Sequence, residues 1–201
     1  MLDGMARRML GPGLDRFGRS LARNGVGADQ VTLLGFALGV AAAGAIAATL
    51  YRSGLALIIL SRFCDGLDGA VARATKKSDR GGFLDIVLDF AFYGLIPLGF
   101  VVADPARNAV AGATLLFSFY VNGASFLAYA IMAERRGLSS EARGEKSLYF
   151  TSGLVEASET ILVFLLFCVL PGYFAWIASA FAALTLVTAV ARIALAMRVF
   201  R

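Results

Sequence analysis

The chain has 201 residues, 59% of them hydrophobic and 16% charged, with a net charge of +5 and no histidine. Soluble domains average roughly 45–50% apolar and about 25% charged residues, so a mean hydropathy of +0.75 points to an integral membrane protein. The basic residues are scattered among separate segments, which argues against a nucleic-acid surface; anionic headgroups and phosphorylated substrates suit them better.

Residues 1–24 mix Arg7, Arg8, Arg16, Arg19 and Arg23 with Leu2, Met5, Met9, Leu10, Leu14, Phe17 and Leu21. That pattern predicts an amphipathic helix lying in the membrane interface, interrupted at Gly11-Pro12-Gly13. The first thirty residues show no apolar core before a small-residue cleavage site, so a cleavable signal peptide is not expected. Residues 25–201 follow as a six-helix transmembrane domain. Its spans are expected near 31–51, 55–74, 83–103, 108–133, 153–170 and 173–197, each long enough for about 30 Å of hydrocarbon. Asp104-Pro105 and Pro171-Gly172 mark tight turns, and the continuous apolar runs exclude a transmembrane barrel.

Loop charges orient the spans. The N-terminal segment is basic, as are the connections after span two (Arg73, Lys76, Lys77, Arg80) and span four (Arg135, Arg136, Arg143, Lys146), and the tail (Arg198, Arg201). The alternate loops hold only Arg52 and Arg107. The positive-inside rule then places both termini and both basic loops in the cytoplasm. Cys64 and Cys168 lie far apart in apolar segments and read as free thiols.

Chemistry is concentrated where spans two and three meet. Asp65, Asp68, Gly69, Ala72 and Arg73 fall at i, i+3, i+4, i+7 and i+8, on one helical face. Asp85 and Asp89 share a face of the next span, so the hairpin gathers four carboxylates near the cytoplasmic side. Carboxylates at such a depth are expensive, and divalent cations resolve their mutual repulsion. Oxygen-only ligands favour Mg²⁺, Mn²⁺ or Ca²⁺ over zinc. Gly69 and Ala72 let a ligand approach the backbone, and Arg73 can meet a phosphate. Two metals over a pyrophosphate would make a phosphoryl-transfer site. The competing reading is interfacial ion pairing with Arg62, Arg73, Lys76 and Arg80, available to one or two of the aspartates.

The run Asp65-x2-Asp68-Gly69-x2-Ala72-Arg73-x7-Gly81-x3-Asp85-x3-Asp89 resembles the complete signature of the CDP-alcohol phosphatidyltransferase family. The resemblance implies a six-helix membrane enzyme with an N-terminal interfacial helix, usually a homodimer. Such enzymes move a phosphatidyl group from CDP-diacylglycerol to an alcohol and release CMP. It implies that Asp65, Asp68, Asp85 and Asp89 hold two divalent cations, Mg²⁺ or Mn²⁺, with Asp89 also the general base. Gly69, Ala72 and Arg73 resemble contacts to the CDP moiety, and Ser78 resembles a hydroxyl placed on the nucleotide. Ala28-Asp29-Gln30-Val31-Thr32 is similar to a stretch that usually reads Pro-Asn/Asp-x-x-Thr, so Asp29 and Thr32 join the nucleotide contacts, with Ala28 in place of the proline.

The acceptor is expected to be sn-glycerol 3-phosphate, with a free alcohol or another polyol phosphate (inositol, inositol phosphate, serine, choline) as the alternative. Cations for an acceptor phosphate are available at Arg135, Arg136, Arg143, Lys146 and Arg192, although headgroup snorkelling explains Arg192 equally well. Glu156 and Glu159 share a face of span five and resemble a poorly characterised bacterial subgroup of the family. They could pair with Arg143 or Arg192, bind polyol hydroxyls or favour a cationic acceptor. The remaining functional class is a cation-binding transporter or channel, for which charges near the midplane would be expected instead. The predicted location is the bacterial inner membrane, with the active site facing the cytoplasm.

Overall fold

The computed structural model describes residues 2–137 and 157–200. Its elements in chain order are α1 (Leu2–Arg23), α2 (Ala28–Ala47), α3 (Tyr51–Ala74), α4 (Asp79–Ala103), α5 (Pro105–Arg135), α6 (Ala157–Val169), a single 3₁₀ turn (Pro171–Tyr173) and α7 (Phe174–Val199). No strand occurs among the described residues. Four helical segments are long and apolar enough to cross a membrane: α2, α4, α5 and the turn joined to α7. Helix α3 has the length, with 24 residues, but its charged side chains lower its hydropathy. Helix α6 has 13 described residues, and the first part of the expected fifth span lies outside the described residues.

Two local expectations need correction. Helix α1 is not interrupted at Gly11-Pro12-Gly13; it runs as one helix of 22 residues with Pro12 inside it. Isolated proline costs a helix roughly 3 kcal/mol, but packing outweighs that penalty here. Leu14 and Leu21 lie against Val31, Leu67 and Val71 of α2 and α3, and the tertiary contact holds the helix through the weak point. Helix α2 ends at Ala47, short of the expected 51, because Thr49 turns the chain with a positive φ of 62°.

Helix ends follow their sequences. Asp104 caps α5 by accepting from the Arg107 N–H at 3.2 Å, with Pro105 at the first helical position. Ser78 caps α4, its Oγ accepting from the Gly81 N–H at 3.1 Å. Gln30 Oε1 accepts from the Gly27 N–H at 3.0 Å at the start of α2.

Close helix approach is carried by glycines, as expected where lipid removes the hydrophobic drive for helix association. Gly35 and Gly39 lie one turn apart on α2. A Cβ at Gly35 would stand 3.0 Å from Cys64 Cβ, and one at Gly39 would stand 2.7 Å from the Phe92 ring. Both α3 and α4 are thereby seated against the same stripe of α2. At the other end of α4, a Cβ on Gly99 would come within 2.8 Å of the Ala43 carbonyl oxygen. The core beyond is aromatic: Phe100 stacks on Phe174 with centroids 4.9 Å apart, and Phe92, Phe164 and Phe167 continue the cluster. Cys64 and Cys168 are free thiols, as expected.

Because Gly99 faces backbone rather than a movable side chain, Gly99→Ala should lower the stability of the detergent-purified protein by about 1–3 kcal/mol. Gly44→Ala, which meets nothing within 4 Å, should shift it by less than about 0.5 kcal/mol. Thermal melts of the two variants beside the parent distinguish these outcomes.

Candidate functional site

The α3–α4 hairpin positions the acidic residues. Near the end of α3, Asp65 and Asp68 lie almost one turn apart, and the helix stops at Ala74. The chain reverses over 75–78 and re-enters α4, whose first turns carry Asp85 and Asp89. One carboxylate oxygen from each of Asp65, Asp68 and Asp85 lies within 4.8 Å of the others. Asp89 joins Asp65 and Asp85 in lining a small pocket, together with Thr32, Gly35, Phe36, Arg62 and Leu88.

This donor set fits a divalent cation. Asp68 is 6% exposed, and its Oδ2 is buried with no hydrogen-bond partner. Like charges at about 4.8 Å repel by roughly 3 kcal/mol per pair at an effective dielectric of about 20, so three carboxylates at that spacing need a counter-charge. All the candidate ligand atoms are oxygens, the donors that Mg²⁺, Mn²⁺ and Ca²⁺ prefer.

One cation is built in. Arg62 reaches across from α3 with a side chain 11% exposed. Its Nη1 donates to Asp89 Oδ1 at 2.7 Å and lies 3.3 Å from Asp65 Oδ1. Its Nη2 donates to Ser61 Oγ at 3.2 Å, and the guanidinium carbon sits 3.8 Å over the Phe92 ring. The ion-pair reading therefore holds for two of the four aspartates, through Arg62 alone among the described residues. Arg73 and Arg80 pair elsewhere, with Asp15 at 2.7 Å and Asp29 at 3.6 Å.

The residues expected to contact a nucleotide come from three helices and converge beside this cluster. Asp29 and Thr32, from α2, lie at its near side: Thr32 lines the pocket and interacts with Asp68. A Cβ on Gly81 would stand 3.1 Å from Ser78 Oγ and 3.2 Å from Asp29 Oδ1, so the start of α4 meets the start of α2 there. Arg73 folds back over Gly69, its Nη1 lying 3.4 Å from where a Cβ of that glycine would be. Ala72 is part-buried on the same helix.

The expected acceptor residues are spread more widely. Arg192 on α7 donates from Nη1 to the Asn122 backbone oxygen at 3.0 Å, to Asn122 Oδ1 at 2.9 Å and to Ser125 Oγ at 3.0 Å. It thus joins α7 to α5, with its guanidinium carbon 5.6 Å from the Phe126 ring centroid. Glu159 stands in the first turn of α6. Arg143, Lys146 and Glu156 lie outside the described residues. Sequence reading treated Arg62 only as an ion-pairing partner and passed over Asp15 and Ser61. The signal for Arg62 was an arginine three residues before Asp65 inside an apolar helix; nothing local marked Asp15, whose contact spans 58 residues.

Comparison with known proteins is consistent with this geometry. The family described as CDP-alcohol phosphatidyltransferase matches residues 26–195. The Inner membrane protein YnjF of Escherichia coli (strain K12) is 45% identical over 193 residues, covering 96% of this chain and 94% of that protein. An archaetidylinositol phosphate synthase of Pyrococcus horikoshii is 38% identical over 112 residues, 54% of this chain and 58% of that protein. In fold, the chain resembles the crystal structure of Mycobacterium tuberculosis phosphatidylinositol phosphate synthase with CDP-DAG bound. The TM-score is 0.67 at 22% identity, over 91% of this chain and 92% of that one.

If the aspartates hold a cation, millimolar Mn²⁺ should raise the melting temperature of the purified protein, as any ligand selective for the folded state does. Asp68→Asn should remove most of that shift. A variant that keeps the full Mn²⁺-dependent shift would show that Asp68 is not a ligand.

Proposed function

The chain belongs to the CDP-alcohol phosphatidyltransferase family, and on that premise we propose that it makes a phospholipid from CDP-diacylglycerol and a phosphorylated polyol, sn-glycerol 3-phosphate first among them. The observation that carries this reading is the meeting of Asp65, Asp68 and Asp85 oxygens within 4.8 Å at a pocket that Asp89 also lines. Membership makes the protein a multi-pass membrane phosphatidyltransferase. The acceptor, the residue roles, the six spans, the cytoplasmic face and a homodimer are the proposed refinements.

In the proposed reaction the acceptor hydroxyl attacks the lipid-side phosphorus of CDP-diacylglycerol. A new phosphorus–oxygen bond forms, the pyrophosphate bond breaks, and CMP leaves with its electron pair. Asp89 takes the proton from the attacking hydroxyl. Asp65, Asp68, Asp85 and Asp89 would hold two divalent cations, Mg²⁺ or Mn²⁺, which when bound neutralise the pyrophosphate and the charge that develops on CMP.

The protein's own side chains do the rest. Asp29, Thr32 and Ser78 orient the nucleotide where α2 meets the start of α4. Gly69 and Ala72 keep the α3 surface low enough for it to approach. Arg73, half exposed beside Gly69, lies within reach of a phosphate and would exchange its Asp15 contact for one. Glu159 and Arg192, with Arg143, Lys146 and Glu156, are assigned to the acceptor side.

The basic residues around the cytoplasmic ends favour an acceptor that carries its own phosphate. The relatives named archaetidylinositol phosphate synthases give an inositol phosphate as the second reading. Purified protein incubated with CDP-diacylglycerol, Mn²⁺ and each candidate acceptor should release CMP and yield a lipid whose mass identifies the acceptor. Product with glycerol phosphate supports the first reading, and product with inositol phosphate alone replaces it with the second. Asp89→Asn should lower kcat about 10²-fold or more; near-normal turnover would remove Asp89 from the role of base.

A further inference from the structure

Arg62 is a costly residue to keep where it stands. Its side chain is nearly buried, and its Nε is buried without a hydrogen-bond partner. Joining α3 to α4 does not by itself require it, because a buried ion pair can often be replaced by apolar side chains of similar volume without loss of stability. Its surroundings are nevertheless built to hold it. Ser61 Oγ receives its Nη2 and itself donates to the Gly35 carbonyl at 2.7 Å. The Phe92 ring supports the guanidinium plane, and Gly39 leaves room for that ring. The arginine is fixed from below by α2 and α4 and presents one nitrogen to Asp65 and Asp89 together.

We propose that Arg62 is a positioning residue for Asp89 and a built-in competitor for divalent cations at the Asp65–Asp89 edge of the site. With Oδ1 of Asp89 held by the guanidinium, the carboxylate keeps a fixed orientation toward the pocket. The same fixed charge weakens cation binding at that edge. The Asp68 and Asp85 oxygens, which form no ion pair with Arg62, become the stronger cation position, with Asp65 shared between it and the arginine. This inference rests on the phosphatidyltransferase reading for its kinetic part, whereas its metal-binding part requires only the geometry.

Mn²⁺ binding to the full-length protein in detergent, read by electron paramagnetic resonance without substrates, tests the competition. Arg62→Met should bind Mn²⁺ roughly tenfold or more tightly than the parent, since a close positive neighbour is removed. Its kcat at saturating Mn²⁺ should fall about tenfold or more through misplacement of Asp89, with KM for CDP-diacylglycerol within about twofold of the parent. Arg62→Lys keeps the charge but lacks the fork that serves three oxygens; it should restore parental Mn²⁺ affinity and leave kcat reduced. A purely structural clamp would lower the melting temperature and leave Mn²⁺ affinity unchanged, which overturns the proposal, as does unchanged kcat in the Met variant. If Arg62→Met does not fold, Arg62→Gln carries the test, because it removes the charge and keeps an amide that can donate to the carboxylates. Tighter Mn²⁺ binding with reduced kcat then supports the proposal, and parental Mn²⁺ affinity or parental kcat overturns it. Absence of CMP release from the parent itself would defeat the reaction assigned to the chain, and the Mn²⁺ comparison would still judge Arg62.

Discussion

Charge crowding at the α3–α4 hairpin is the constraint to which the rest of the structure answers. Carboxylates from Asp65, Asp68 and Asp85 converge within 4.8 Å, and Asp89 stands beside them. In water such a cluster would be screened, but among part-buried side chains its repulsion has to be met by specific positive charge. Arg62 meets part of it, at Asp65 and Asp89. Asp68 receives no cation among the described residues and retains a buried oxygen without a partner. That leftover demand for positive charge is what makes the cluster a candidate cation site and more than a set of ion pairs.

The packing of α2 then determines what the cluster can act on. Gly35 and Gly39 let α3 and α4 settle against one face of α2, and the same helix begins with Asp29 and Thr32. Close packing of the hairpin therefore draws Asp29 to Gly81 and Ser78, and Thr32 to Asp68. A wider separation of these helices would leave the carboxylates intact and detach the nucleotide-side residues from them. Small residues on α2 thus set the registration between the carboxylate cluster and the residues proposed for the nucleotide.

The parts of this arrangement that could be read in advance are those written in local spacing. The i, i+3 and i, i+4 intervals of the aspartates place them on common faces, and the short basic connection between α3 and α4 makes them neighbours. Helix order and approximate limits follow from apolar runs broken at Asp104-Pro105 and Pro171-Gly172. Long-range pairing was hidden. Nothing near Arg73 in sequence names Asp15 as its partner, and nothing near Arg192 names Asn122 and Ser125, 70 and 67 residues away. Continuity of α1 through Pro12 was equally hidden, because local propensity argues for a break and only the packing of Leu14 and Leu21 opposes it. The four apolar helices and the charged α3 show the same limit from another side: the expected span that holds Asp65 and Asp68 is kept from resembling a span by its own charged residues.

The depth of the pocket bears on whether these charges serve a reaction at one end of the bundle or a passage through it. A transport route needs polar groups continuing beyond the ion site. Beyond the pocket lies Phe92, under the Arg62 guanidinium that lines it. From that ring the aromatic cluster continues to Phe164 at 6.1 Å, from Phe164 to Phe167 at 6.0 Å, and from Phe167 to Phe100 at 5.5 Å. Phe100 then stacks on Phe174. Ile46, Ile58, Ile96 and Leu115 fill the same region, and all are fully buried. An ion leaving the carboxylates in that direction would pass the Ser61 hydroxyl, already engaged by Arg62 and the Gly35 carbonyl, and would then meet packed hydrocarbon and ring faces. The residues proposed for the nucleotide, Asp29, Ser78 and Arg73, stand instead at the helix ends around the 75–78 turn, the end at which the proposed reaction would take up both substrates.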